Sequence, residues 1–528
     1  MAMNRRDFIS TAATLAGAGV LSSIFPTTSL LARTLTAVDA PVVNIDQLRP
    51  MLLQDAQHRT SRLGLDPRIW SWHRDVGVNT MSTKTMSTKT MSTKIMPANY
   101  YEASLADCPA FGSFSRDQSC EVVVIGGGLL GASTALHLAE AGVDVILVEK
   151  DNIGSGASGR NGGQITPGIA RWSAETMLER FSPDEAKRLW RFASVEAMNL
   201  VDELRERYGF ECDRKYGHIT AAIHPGHMGP LVANADARRQ LGDTAVKVIG
   251  PHELQEEYVR SSIYHGANID SIGGQVQPLA LLRGLIYGFA KLGGRVYDGT
   301  KVKGIRQDAD STVIETERGV IRASKAVVLG VHGSTGEFIS GPSTTVPFFT
   351  YVAVTPPLPV DSKELIPSDL PIYDTQLQID YYRAVRDNRL LFGGQGTGNS
   401  WSPRDVNNYL LDRIRTVFPH LEKPELEYSW GGISDLTLNG ATDARKSGNN
   451  VPVYMVHGWS GHGVAQTVRI GKAISDDLTG LNHDFTMLTR IDHASIPLGS
   501  YLSPVAIPLI KGALGVISTL NPTDIVSF

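Results

Sequence analysis

Val122, Val123, Val124 and Ile125 form an uninterrupted β-branched run closed by three glycines, the pattern of a parallel strand buried on both faces. The spacing of Ala135, Leu138 and Ala139 predicts a helix over 131–142, and the apolar run after it predicts a second strand over 143–148. Together they make one complete βαβ unit. Apolar positions at Leu189, Phe192, Val195, Leu200 and Leu204 predict a long helix over 183–208, followed by short alternating segments through 250. A further amphipathic helix is expected over 278–292, with strands over 294–305, 312–316 and 326–329, the last leading into Gly330. Strand-like runs such as 351–355 and 390–392, with prolines at the joints, dominate 342–427. A final buried strand over 453–456 enters a glycine-rich turn and a helix over 464–478. Strand, glycine turn and helix thus recur at both ends of the ordered region.

The expected fold class is α/β: a discontinuous Rossmann-like nucleotide-binding domain with an inserted mixed β-sheet substrate domain. The nucleotide domain is assigned to 116–205, 270–340 and 428–480, and the substrate domain to 206–269 and 341–427. The segment 481–528 is read as a C-terminal tail. Within it, 496–520 is apolar but interrupted by Pro497, Pro504, Pro508 and Lys511, which favours a tail packed on the body over contact with a membrane.

The N-terminal region has a different character. Arg5 and Arg6 stand directly before an apolar, alanine- and glycine-rich stretch over 11–25, with small residues near Ala32 and Ala40 suited to cleavage. Residues 1–40 therefore resemble a twin-arginine export signal, which implies a periplasmic or exported protein, or a membrane-anchored one if the signal stays uncleaved. Residues 41–115 lack sustained periodicity and contain MSTKT at 81–85, MSTKT at 86–90 and MSTKI at 91–95, read as a flexible extension.

Composition narrows the function. The 528 residues, 42% hydrophobic, are enough for two or more connected domains. A net charge of -4 provides no positive field for a phosphate backbone, so nucleic acid is not an expected partner. Cys108, Cys120 and Cys212 show no CxxC spacing and suggest neither a metal site nor a redox dithiol; a Cys108–Cys120 disulfide is compatible with export.

Gly126, Gly128 and Gly131 form GxGxxG between the first strand and its helix. The first permits the tight turn, the second lets backbone amides approach a pyrophosphate, and the third allows helix and strand to pack closely. The helix N-terminus then offers unsatisfied amides and the positive end of its dipole. Glu149, at the end of the second strand, stands where a carboxylate accepts hydrogen bonds from ribose hydroxyls, which disfavours NADP. Residues 154–164 carry five glycines with Ser158, Arg160, Asn161 and Gln164. Such a loop needs a ligand to order it, with Arg160 a donor to phosphate and Asn161 and Gln164 able to meet polar ring edges.

Three segments, IGGGLLGASTALHLAEAG at 125–142, GASGRNGGQ at 156–164 and GWSGHGV at 458–464, resemble the D-amino-acid oxidase superfamily of flavoproteins. YYEASL at 100–105, LLFGG at 390–394 and WGGI at 430–433 add to the likeness, which runs from about residue 100 to the C-terminus. The resemblance implies FAD bound in an extended conformation, its adenosine end at Gly126, Gly128, Leu130, Gly131, Glu149 and Lys150. Ser158, Arg160, Asn161, Gly163 and Gln164 would lie along the pyrophosphate and flavin, Val302 would meet adenine through its backbone, and Gly330 would be a further cofactor-binding residue. Gly461, His462, Gly463 and Val464 would close the pocket beside the isoalloxazine ring.

Such a protein oxidises a C–N bond by hydride transfer to flavin. The resemblance points to a gamma-glutamylputrescine-like amine, with oxygen or quinone as electron acceptor. Export and the N-terminal extension depart from that pattern and keep open an L-amino-acid or N-alkyl amino acid oxidase or deaminase with peripheral membrane association. Substrate-side candidates are Tyr381, Tyr382, Arg383, Trp430, Trp459 and His462: aromatic faces for a cationic or alkyl tail, and a guanidinium for a carboxylate. No catalytic base is required if the neutral amine is the bound species. His332 is read as structural.

Overall fold

The structure is a computed structural model that describes residues 99–105, 111–338, 343–421, 423–448, 450–496 and 499–525. The expected export signal, the MSTKT repeats and Cys108, and with it any Cys108–Cys120 disulfide, lie outside the described residues. Cys120 and Cys212 are buried free thiols.

Five parallel strands form the centre of a first sheet, in the order Val453–His457, Val320–Leu329, Gln118–Ile125, Val145–Val148, Arg295–Tyr297. Alternate side chains of the buried run serve opposite faces. Val122 and Val124 pack under the helices Leu129–Glu140, Pro278–Lys291 and Val464–Thr479. Val123 and Ile125 pack under Val302 and Ile314 from the hairpin Val302–Gln307 and Thr312–Thr316. The predicted strand over 294–305 is in fact two strands, because the chain turns at Gly299 (φ 54°) between the sheet and the hairpin.

A second, mixed sheet runs in the order Tyr428–Thr437, Thr345–Val354, Arg389–Thr397, Tyr381–Val385, Ile372–Asp374, Lys215–Ala221, Ala267–Gln275, Gln164–Ile165. Only the pairing of Ile372–Asp374 with Lys215–Ala221 along this path is parallel. Its back face is covered by the helix Pro403–Val417 through Leu410, Ile414 and Val417. Its front face meets the glycine-rich loops of the first sheet.

Gln164–Ile165 and Tyr428–Thr437, assigned by sequence to the nucleotide domain, pair in this second sheet instead, as does Ala267–Gln275, which straddles the assigned boundary at 269/270. Tyr428–Thr437 pairs with Thr345–Val354 over ten residues, and that ladder decides its place. The helices Met228–Gln240 and Pro403–Val417 fall where only short alternating or strand-like segments were expected. The C-terminal apolar stretch forms one helix, Gly499–Leu520, with Pro504 and Pro508 inside it. By length and composition this helix is apolar enough to cross a membrane. Ser503, Ile507 and Lys511, spaced four apart, are nevertheless buried, and this packing offsets the two amides the prolines lack.

Candidate active site

The first glycine turn is shaped by contacts that leave no room for side chains. A Cβ on Gly126 would lie 2.4 Å from the Gly330 carbonyl oxygen, and one on Gly131 would lie 2.0 Å from that of Gly126. Gly330 closes this corner, its amide donating to the Ile125 carbonyl at 2.8 Å. The helix Leu129–Glu140 starts at Gly128, which has no side chain to cap it, so its dipole opens onto the turn. Leu130 is buried in the helix–sheet core. Glu149 accepts from the amides of Gly127 at 2.7 Å and Asp151 at 3.0 Å. Burial nonetheless pushes its carboxyl above the ordinary range, against the pull of those amides. Val302 begins the hairpin two residues after Thr300, whose amide donates to the Glu149 carbonyl at 2.7 Å. Lys150 is exposed and pairs with Asp151 at 3.8 Å.

The second glycine loop rests on the front of the second sheet. Ser158 Oγ accepts from the Leu129 amide at 3.0 Å, tying this loop to the first turn. Arg160 is 7% exposed, and its Nε donates to the Gly431 carbonyl at 2.8 Å. One terminal nitrogen of its guanidinium is buried without a partner. Burial pulls this arginine below its usual value, a sign of a cation enclosed without a strong counter-charge.

Asn161 and Gln164, expected at the ring edges, are turned inward. Asn161 donates to the carbonyls of Ala157 and Ser158 and accepts from the Gly163 amide at 2.9 Å, so it holds the loop's shape. Gln164 donates to the Ile372 carbonyl at 2.9 Å and faces His218 Nε2 at 3.0 Å. Gly163, at φ 72°, sits where a Cβ would strike the Val276 carbonyl at 2.3 Å.

The third loop joins Val453–His457 to the helix Val464–Thr479, whose N-terminus at Gly463 also has no side-chain cap. Gly461 is exposed at φ 84°, and Val464 is buried. Asp435 organises the loop: its Oδ1 accepts from the Trp459 amide at 3.1 Å, and its backbone carbonyl accepts from Ser460. Asp435 Oδ2 and Ser460 Oγ are buried without partners. His332 Nε2 lies 3.2 Å from Asp435 Oδ1, which places this histidine against the loop. Neither Asp435 nor this pairing was legible in the sequence, because the pair is brought together from segments 103 positions apart.

His462 closes the loop beside Tyr373, ring centroids 6.2 Å apart, and Tyr373 in turn packs against His218 at 4.5 Å. Burial pushes His462 down to about 4, aided by the Arg171 charge, and pushes His218 down to about 3. Both imidazoles are neutral at physiological pH. Tyr373, His218 and Arg171 went unnoticed in the sequence, since an isolated aromatic or histidine in a short strand carries no local signal.

The strand Tyr381–Val385 corrects the other candidates, because alternate residues face opposite ways. Tyr381 faces the loops: its ring lies where a Cβ on Gly162 or Gly393 would strike it, at 2.6 and 2.3 Å. Tyr382 points to the back face, stacked on Phe392 at 5.3 Å with its hydroxyl on Tyr264 at 2.9 Å, and it cannot reach a substrate on the front. Arg383 returns to the front but is fully buried, donating to the Gly162 carbonyl at 2.8 Å and the Tyr101 hydroxyl at 3.3 Å. It braces the glycine loop. Trp430 packs edge-on to Tyr101 at 5.4 Å and donates to the Arg160 carbonyl at 2.8 Å, again supporting the loop. Trp459 is buried in the first core, with its side chain against Gly463.

Two helix N-termini that begin at glycine and a buried guanidinium with one spare terminal nitrogen thus converge around three glycine loops, an arrangement suited to an extended dinucleotide. The sequence pattern of the FAD dependent oxidoreductase family matches residues 121–477. The chain belongs to this family. Among its relatives, gamma-glutamylputrescine oxidoreductase of Escherichia coli K12 is 31% identical over 408 residues, covering 77% of this chain and 94% of the relative. Glycine oxidase of Geobacillus kaustophilus is 27% identical over 330 residues, covering 61% of this chain and 82% of the relative. Among solved structures, L-amino acid deaminase from Proteus myxofaciens superposes with a TM-score of 0.58 at 18% identity, covering 72% of this chain and 94% of that one. The last comparison shows the fold alone.

As an FAD-dependent oxidoreductase, the protein fits its cofactor in ways visible in its own residues. Gly126, Gly128, Gly131 and the open end of Leu129–Glu140 suit the pyrophosphate, and Glu149 suits the ribose. The spare Arg160 nitrogen fits an acceptor on the cofactor. The open end of Val464–Thr479 suits the negative charge that a flavin acquires on reduction.

Proposed function

We propose that this FAD-dependent oxidoreductase oxidises the C–N bond of a small amine of the gamma-glutamylputrescine type, giving an imine that water converts to aldehyde and ammonia. The reading is carried by the occupation of Arg383. In an oxidase of α-amino acids a free guanidinium beside the reacting carbon would bind the carboxylate. Here the guanidinium of Tyr381–Val385 is spent on Gly162 and Tyr101. The front face offers instead the Tyr381 and Tyr373 rings and two neutral imidazoles. The 31% identity to the Escherichia coli enzyme, spanning 94% of its length, supports the same substrate class.

The chemistry FAD supplies when bound is acceptance of a hydride from the carbon beside the nitrogen. The chain's own residues prepare the amine for that transfer. Aromatic faces at Tyr373 and Tyr381 exclude water and hold the alkyl chain. With His462 and His218 uncharged, no imidazolium in this corner repels a bound cationic amine or competes for its lone pair once the proton has left. Oxygen or a quinone would serve as the electron acceptor. Arg5 and Arg6 ahead of an apolar stretch support export, which would put the reaction in the periplasm.

A second reading, oxidation or deamination of an L-amino or N-alkyl amino acid, draws on Arg171, whose positive charge bears on His462. Product analysis separates the two. Gamma-glutamylputrescine should yield one aldehyde and one ammonium per turnover, whereas formation of 2-oxo acids from amino acids, with no aldehyde from the amine, would overturn the proposal.

A further inference from the structure

The front face of the second sheet is occupied in three stretches. At one end Val352, Val354 and Leu391 lie with Tyr100, Tyr101 and Trp430. In the middle Thr350 and Tyr381, whose hydroxyls are 3.5 Å apart, lie beside the glycine loop. At the other end Val346, Phe348 and Leu436 pack with Ile507 of the helix Gly499–Leu520. Pairing with Tyr428–Thr437 is unbroken from Thr345 to Val354, so Val346, Phe348, Thr350 and Val352 share one face. The C-terminal helix is therefore an end wall of the space that faces the cofactor loops.

Lys511 is the single charged residue of that helix, and it is turned inward, 4% exposed. Its Nζ donates to Gln395 Oε1 at 2.6 Å and to the Gly396 carbonyl at 2.9 Å, two acceptors for three N–H donors. Burial alone, with no neighbouring charge to oppose it, pushes the amine down to about 7. Gln395 is the extra residue of a bulge, at φ 63°, between Gly394 and Gly396. Gln378 Oε1 accepts from the Gly396 amide at 2.9 Å, while its Nε2 is buried without a partner. The N–H and C=O of one strand residue point the same way, so Lys511 and Gln378 approach Gly396 from one side. Gly396 pairs with Thr350, and Thr350 pairs with Gly432 beside Arg160. At about 4.8 Å per strand the Gly396 backbone is roughly 10 Å from the Gly432 backbone, and the ammonium lies beyond it on the side away from Thr350, the reach of an alkyl chain extended by an amide.

A buried amine with a donor to spare and no counter-ion, beside a second unspent donor on Gln378, is a site for an anion that would hold it protonated. We propose that Lys511 and Gln378 bind a carboxylate at the end of the substrate remote from the oxidised carbon. The preferred substrate is then an amine with a carboxylate several bonds from its reacting nitrogen. This rests on the amine reading above and deepens it.

The test compares gamma-glutamylputrescine with N-(4-aminobutanoyl)putrescine, which keeps both amines and the amide but lacks the carboxylate. In the wild-type holoenzyme KM should be about 10- to 100-fold lower for the carboxylated compound, the worth of a charge-assisted hydrogen bond, with similar kcat. In Lys511→Met that ratio should fall toward one, and Lys511→Arg should restore part of it. Equal KM values in the wild type overturn the subsite while leaving amine oxidation standing, and this comparison needs no variant to fold. A Lys511→Met enzyme that retains the wild-type ratio overturns it as well. Oxidation of neither compound overturns the amine reading and the subsite together.

Discussion

Arg160 brings a positive charge to a place where the protein offers it one carbonyl, from Gly431, and leaves a terminal nitrogen unmatched. Holding it there is costly without an acceptor, so the side chain should matter more to cofactor retention than to the bare fold. Arg160→Met should weaken FAD binding by about 10- to 100-fold, since hydrogen bonds to charged groups are worth about 1.5–3 kcal/mol. A fluorescence titration of apoprotein with FAD checks this. The paired tyrosines separate in the opposite sense. Tyr382→Phe removes one hydrogen bond to Tyr264 in the back core and should cost about 1 kcal/mol of stability with kcat preserved. Tyr381→Phe should change KM. Denaturant melts and steady-state kinetics on both variants distinguish these roles. His218 and His462 have folded values pushed down to about 3 and 4, below the ordinary 6.5. Between those values and 6.5 the unfolded chain binds more protons than the folded one, so stability is full above 6.5 and is lost as pH falls through 4. Tm should therefore drop across that window, and His218→Gln should flatten the drop.

At the level of elements, the two glycine turns were legible because their mechanical demand is local: strand, glycine, helix, within a dozen residues. The helix starts at Leu129 and Val464 were placed within two residues for the same reason. Gly131→Ala should disrupt that junction, since its Cβ would fall 2.0 Å from the Gly126 carbonyl. Loss of several degrees in Tm together with loss of bound flavin is the expected result, read by thermal melting and absorbance. The facing of Tyr382, Arg383 and Trp430 was not legible. Which side of a strand looks at the cofactor depends on register with partners far along the chain, and Tyr381 and Tyr382 are equivalent until Gly393 and Phe392 are set opposite them. Asp435 and His332 escaped for a related reason, as a contact between distant loops leaves no spacing to read. The helix Gly499–Leu520 was hidden by its prolines, whose cost is offset only by packing on the second sheet.

Across the whole molecule the two sheets meet at loops and at a small apolar contact, where Leu279 packs among Val352, Val354 and Leu391. Gln164–Ile165 enters the second sheet directly from the glycine loop, and Asp435 joins Tyr428–Thr437 to the turn before Val464–Thr479. FAD lying along these loops touches both halves, so its binding should stabilise the protein as a unit, by about 2.7 kcal/mol at a hundredfold excess over Kd. Tyr373 and Tyr381 are cross-strand neighbours and His462 packs beside Tyr373, so these rings mark the space proposed for the amine. The central claim is that an amine placed in this space gives up a hydride to the bound cofactor. Anaerobic addition of gamma-glutamylputrescine to the yellow holoprotein, followed by absorbance, tests it most directly. The account predicts that the visible absorbance band of the oxidised flavin bleaches with this amine and persists with α-amino acids. Bleaching by α-amino acids while the amine leaves the band intact would contradict it.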